Sequence, residues 1–303
     1  MQNSKRYLLI RVHLCTMSDF SEGLSNILTI LADFGIKATF FAAMGPDNLG
    51  RVGISRLFNK KFIKQVYYLN PIKTYGFKNL MSGLIINGPI LSVVYRDKLE
   101  RISQEKHEIG IHGYNHAKWS NYYMRMSQAE IREEINKGVD KFRQIFGSLP
   151  SGFAAPSWGC NFNTLQSEDE FNFLYASDTR GRCPFFPRIN AQVFKTLQIP
   201  ITLPTFFELL SERQFNEGSM VKKLLIKIIQ EKINVLIVHP CQEGKANKKL
   251  FINLLNTLKK EQIIYITYRD LARMMLTNRT EIPICEVSST QVLGAFREVG
   301  SQQ

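Results

Sequence analysis

Short apolar runs alternate with helical patterns along most of this chain, and that alternation restricts its fold more than any other feature. RYLLIRVHL (6–14), IKATFFAA (36–43), HEIGIH (107–112), SGFAA (151–155), KINVLIVHP (232–240) and IIYITY (263–268) read as strands. Between and after them, GLSNILTILADFG (23–35), SQAEIREEINKGVDKFRQIFG (127–147), NKKLFINLLNTLKKEQ (247–262) and RDLARMML (269–276) carry apolar residues at helical spacing. The first two of these end on glycine, a common helix stop. Strands that are apolar on both faces and alternate with helices predict an α/β fold whose parallel sheet is covered by helices. Six or seven such units predict closure into a distorted (β/α) barrel of about seven parallel strands. Functional groups then belong at the C-terminal ends of the strands.

Histidines stand at three of those ends. His13 closes the first run, His112 the third and His239 the run near the C-terminus, and His116 follows His112 by four residues in GIHGYNHAKW (110–119). Two imidazoles so placed can share one divalent cation, although HxxxH alone is a weak pattern. Trp119 and Trp158 flank the two segments as an apolar wall for a sugar ring or as core. Glu243 reads as a solvent-facing carboxylate, with a hydrogen bond to His239 as the alternative.

The stretch from about 50 to 100 breaks the rhythm. It is aromatic, apolar and basic, and reads as an inserted helical segment, either a lid or a face resting on a membrane. Residues 1–276 are then one barrel domain, and 277–303 a polar, poorly ordered C-terminal tail. The net charge of +13 points to an anionic partner. No basic run interleaved with aromatics suggests nucleic acid, which leaves an anionic membrane surface or a phosphorylated substrate. Five cysteines without a CxxC pair argue against a disulfide framework. No run of about 20 apolar residues suggests a membrane span. A cytoplasmic protein, peripheral to the inner membrane, is the expectation.

The order of the motifs resembles the polysaccharide deacetylase family of the NodB type. GPDNLGR (45–51), GIHGYNHAKW, FAAPSWGC (153–160), YASDTRG (175–181) and IPITLPTFFELL (199–210) follow in family order, as does the strand ending at His239. Within the family, the chain is most similar to deformylases acting on a formamido sugar linked to undecaprenyl phosphate, in lipid A modification and polymyxin resistance. The resemblance implies a divalent metal held by residues 15, 112 and 116, a general base at 13 and an acid at His239. It also implies a lipid-linked amino sugar as substrate, with Asp178, Arg180 and Trp158 as candidates to meet it.

The first motif departs from the family. Where two aspartates are expected, the chain reads Arg11-Val12-His13-Leu14-Cys15-Thr16. In the third motif, Gly159 and Cys160 stand where an arginine and a small residue are expected. Two accounts follow. In one, Cys15 gives a thiolate ligand that favours zinc over manganese or cobalt, and His13 serves as base. In the other, the chain is a catalytically impaired relative that binds a lipid-linked sugar or a partner without turnover.

Overall fold

The computed structural model describes residues 5–54, 80–84, 88–210, 216–291 and 298–303. Its main sheet is built from β1 (Arg6–Leu14), β2 (Thr39–Ala42), β3 (Glu108–Ile111), β4 (Gly152–Phe153) and β5 (Tyr175–Ala176). Strands β6 (Phe186–Ile189) and β7 (Gln192–Val193) lie outside it, whereas β8 (Leu197–Gln198), β9 (Ile233–Val238) and β10 (Ile263–Tyr265) belong to it. The order runs β10-β1-β2-β3-β4-β5-β8, with β9 on β1 as well, and every pairing is parallel. The sheet curls. Just past β8, the Leu203 N–H reaches the Val235 carbonyl of β9 at 3.3 Å. The result is the distorted, helix-flanked α/β barrel that the alternating pattern predicts.

Strand β1 shows how the sequence places side chains. Leu8, Ile10, Val12 and Leu14 point outward, into a core shared with Ile27, Leu28, Leu31 and Leu254 of the covering helices. Each such fully buried aliphatic side chain contributes about 1.5–3 kcal/mol, an upper estimate because unfolded chains already bury some apolar surface. Leu9 points inward, among Phe41, Tyr175, Val235 and Tyr268. The two-residue period of a strand then sends Arg11, His13 and Cys15 to the same inner side, toward the barrel mouth.

The helices follow their local signals. Gln128–Phe146 begins with a reciprocal cap between Ser127 and Glu130 and ends at Gly147, whose φ of 67° is the left-handed value glycine tolerates best. Most of the inserted segment expected at about 50–100 lies outside the described residues. What is described of it includes the short helices Leu49–Ile54 and Leu91–Val94 and the helix Arg96–Gln104.

The C-terminal stretch departs from expectation. Instead of a poorly ordered tail, it forms β11 (Ile284–Gln291) and β12 (Glu298–Gln302), in a second sheet of order β12-β11-β6-β7. The strands are held mainly by main-chain pairing and by Val287, which packs with Phe185 and Phe194. With so little apolar alternation, the sequence carries almost no strand signal there.

Candidate active site

The registers of the first three strands and β9 assemble the mouth of the barrel. Val12 pairs with Val238, so His13 and His239 leave neighbouring strands side by side. Leu14 pairs with Ala42 and Ala42 with Ile111, which brings His112 next to the end of β1. The His13 ring lies 4.6 Å from that of His112 and 5.1 Å from that of His239, centroid to centroid. The ligand atoms of His13, Cys15 and His112 all lie within 4.8 Å of one another. His116 opens the helix His116–Tyr122, its ring 5.1 Å from that of His112 and its Nδ1 3.5 Å from the Ser120 hydroxyl; it stands outside that close set.

The site is electrostatically unusual because of Arg11. This residue is fully buried inside the barrel, with its guanidinium 4.8 Å from the Phe41 ring centre. Its Nη1 donates to the Ser177 carbonyl and hydroxyl oxygens, both at 2.7 Å. Its Nε donates to Nε2 of His13 at 2.6 Å. A guanidinium cannot accept a proton, so Nε2 of His13 must present its lone pair, and the neutral ring carries its hydrogen on Nδ1. Burial, followed by the Arg11 charge, pushes the His13 pKa far below its ordinary range. His13 is therefore a neutral ring whose only basic nitrogen is already engaged.

His112 has the opposite disposition. Its Nδ1 donates to the Ala154 carbonyl at 2.7 Å, leaving the Nε2 lone pair for an ion, the usual way a ligating histidine is oriented. Burial, then His116 and Arg11, lower its pKa. The Cys15 thiol is pushed well up, by burial and then by Asp19. Asp19 is itself occupied: its Oδ2 accepts the N–H groups of Cys15 and Thr16 at 3.0 and 2.9 Å, and the Thr16 hydroxyl at 2.9 Å.

The three side chains can coordinate a divalent ion, and sulfur with nitrogen suits zinc better than harder ions. His112 fits that role as it stands. His13 does so only if an ion competes successfully with Arg11. Cys15 must lose its proton, which a bound cation would favour. The fit is thus partial, and no carboxylate belongs to the close set.

The remaining candidates divide between the wall and the interior. Trp119 is core, packed on Phe153 at 5.5 Å, and its Nε1 is buried without a partner. Trp158 is half-buried beneath the Arg180 guanidinium, 5.3 Å from its ring centre. Ser157 and Trp158 have consecutive φ values of 58° and 53°, a costly left-handed pair for residues with side chains. Arg180 donates to the Leu203 carbonyl and to Glu208, each at 3.2 Å. Asp178 does not pair with Arg180. It is fully buried, accepts the Ala155 N–H and a hydrogen bond from Gln198 Nε2 at 2.9 Å, and shares that amide with the buried Glu168.

His239 lies at the mouth, its pKa lowered by burial against the opposing pull of Asp19. Glu243 is not solvent-facing. It is 1% exposed, accepts the backbone N–H of His239 at 2.6 Å, and burial pushes its pKa up to about 8. Arg11, Asp19, Glu168 and Gln198 were not legible as site-shaping residues. Only Arg11 left a signal, as a charge inside an otherwise apolar strand.

A family model described as polysaccharide deacetylase matches residues 12–176. A protein of Wigglesworthia glossinidia brevipalpis named "Probable 4-deoxy-4-formamido-L-arabinose-phosphoundecaprenol deformylase ArnD" is 34% identical over 287 residues, covering 93% of this chain and 97% of that protein. A protein of the same name from Shewanella sediminis is 29% identical over 262 residues, covering 86% of this chain and 84% of its own length. A crystal structure from Mycobacterium smegmatis, described as a polysaccharide deacetylase, shares the fold with a TM-score of 0.64 at 14% identity, over 96% of each chain. The motif order, the curled parallel sheet and these matches agree: the chain belongs to the polysaccharide deacetylase family and is related to the ArnD proteins.

Proposed function

We propose that this protein is a catalytically impaired family member that binds an acylated amino sugar on a lipid phosphate carrier without hydrolysing it. The observation that carries the reading is the 2.6 Å hydrogen bond from Arg11 Nε to His13 Nε2. Hydrolysis of an amide needs a base to take a proton from water, and losing that base costs about 10²–10⁴-fold in rate. At position 13 the one available lone pair is spent on a guanidinium. The substrate class comes from the names of the curated relatives. The +13 charge supports an anionic lipid partner and attachment at the inner face of a membrane. No helix among the described residues is long and apolar enough to cross one.

A second reading keeps hydrolysis, with Cys15 and His112 holding zinc and His239 acting as acid. The close set of His13, Cys15 and His112 favours it. One experiment separates the two. The protein is mixed with undecaprenyl-phosphate-linked formamido-arabinose, with and without added zinc, and both formate release and binding are measured. Saturable binding with formate at background supports the proposal. Zinc-dependent formate release over many turnovers overturns it in favour of the second reading, and absence of binding removes the sugar from either.

A further inference from the structure

Away from the barrel mouth, two half-buried thiols converge on one side chain of the C-terminal strand. Nε2 of Gln302 donates to Sγ of Cys183 at 3.4 Å and to Sγ of Cys285 at 3.3 Å. The other end of the same amide is equally engaged: Oε1 accepts the N–H groups of Arg182 at 2.7 Å and Cys183 at 3.3 Å. The slot is closely fitted, since a Cβ on Gly181 would lie 2.5 Å from Oε1 of Gln302. Thus Gln302 bridges two cysteines that are about 100 residues apart in sequence, its Nε2 within reach of both sulfurs.

The segment carrying Gln302 also braces the wall of the pocket. The Arg180 N–H donates to the Gly300 carbonyl and the Gln302 N–H to the Arg180 carbonyl, both at 2.9 Å. Gly300 lies against Cys160 of the third motif, where a Cβ would come within 2.6 Å of the Cys160 Cβ. Cys160 and Cys241 are each 2% exposed, and burial raises both thiols. Cys183 and Cys285 therefore form the paired, reachable dithiol.

We propose that Cys183 and Cys285 are a reversible oxidation site, closed by a low-molecular-weight disulfide such as glutathione disulfide, and that closing it expels the Gln302 amide and loosens β12. One thiolate attacks the small disulfide, forming a mixed disulfide and releasing one glutathione. The second cysteine then displaces the other glutathione, so two thiols are oxidised while one glutathione disulfide is reduced to two thiols. Expulsion of Gln302 removes the acceptor of the Arg182 and Cys183 amides and leaves β12 with its main-chain pairing, the Thr290–Ser301 hydroxyl contact at 2.6 Å and the buried Val299. The site is independent of what the barrel mouth binds.

The test uses the full chain. It is incubated with glutathione disulfide, quenched with N-ethylmaleimide and mapped by mass spectrometry without reduction, and hydrogen exchange is then compared between the oxidised and reduced forms. Three results are expected: a peptide cross-linked through Cys183 and Cys285, loss of two free thiols, and several-fold faster exchange in 180–183 and 298–303. Cys183→Ser leaves a glutathione adduct on Cys285, and Gln302→Ala speeds cross-linking several-fold. Separate glutathione adducts on both cysteines, unreacted thiols, or a cross-link with unchanged exchange in those segments would each overturn the proposal.

Discussion

At position 13 a neutral imidazole lies where the family resemblance implies a carboxylate, and its partner Arg11 has kept a full charge inside the barrel. A second change nearby is equally structural. Position 159, where the resemblance implies an arginine, is filled to glycine size: a Cβ there would lie 2.6 Å from Trp119 Nε1 and 2.9 Å from Tyr123 Cγ. Both neighbours are fully buried. Gly159→Arg therefore overpacks a finished core, a change that costs about 1–3 kcal/mol before any burial of the new charge. Urea unfolding should show that loss, and an unchanged midpoint would mean that the indole and phenol rings yield freely.

His107 supplies a pH dependence at the same scale. It is 7% exposed, its Nδ1 accepts the Ala38 N–H at 3.1 Å, and burial, with the nearby Lys37 charge, lowers its pKa to about 4. An unfolded histidine takes up its proton at about 6.5. Between those values the unfolded chain binds the extra proton, so acid favours unfolding. The stability contributed by the neutral folded ring is fully present above the unfolded value and is lost as pH falls through about 4. Taking the protein from pH 7 to pH 4.5 should lower its urea midpoint more than that of His107→Gln. Equal losses would show that the ring does not govern the response.

Among the elements, those with a strong period were legible and those held by partners were not. Strand β1 announces itself because Leu8, Ile10, Val12 and Leu14 meet one core while Leu9 meets another. Strands β11 and β12 lack that signature, because parallel pairing with β6 and antiparallel pairing with each other supply their order through the main chain. Removing residues after Ile282 strips the cover from Phe185 and Phe194 and the main-chain partners from Arg180. Such a truncation should lower the melting temperature by several degrees, since 1 kcal/mol corresponds to about 2–4 °C or less for a chain of this length. It should also change Trp158 fluorescence, because the Arg180 guanidinium lies over that ring. A truncated chain with unaltered melting would make the strands ornamental.

For the molecule as a whole, the barrel is intact while its mouth has changed character. Replacing both unusual residues, His13→Asp with Cys15→Asp, gives Arg11 a carboxylate partner and places a hard oxygen donor beside His112. Equilibrium dialysis should then show tighter binding of manganese, an ion that prefers oxygen to sulfur, and weaker discrimination in favour of zinc. Hydrolysis should stay low, because Gly159 still leaves the third motif without its arginine. A double variant whose ion preference matches the parent would show that Cys15 does not take part in ion binding.

The alternating pattern alone determined the parallel, helix-covered barrel and the placement of His13, His112 and His239 at strand ends, since both follow from side-chain period and strand direction. The sequence also showed that two aspartates and an arginine were missing. Only the tertiary structure decided what that loss means. Whether an imidazole is a base, a ligand or a capped ring depends on which atom meets its lone pair. The strand period puts Arg11 and His13 on one face, but only the folded barrel, where Ser177 anchors the guanidinium, turns Nε of Arg11 onto Nε2 of His13. The same holds for Gln302, which meets Cys183, 119 residues away, only when the strands close around it.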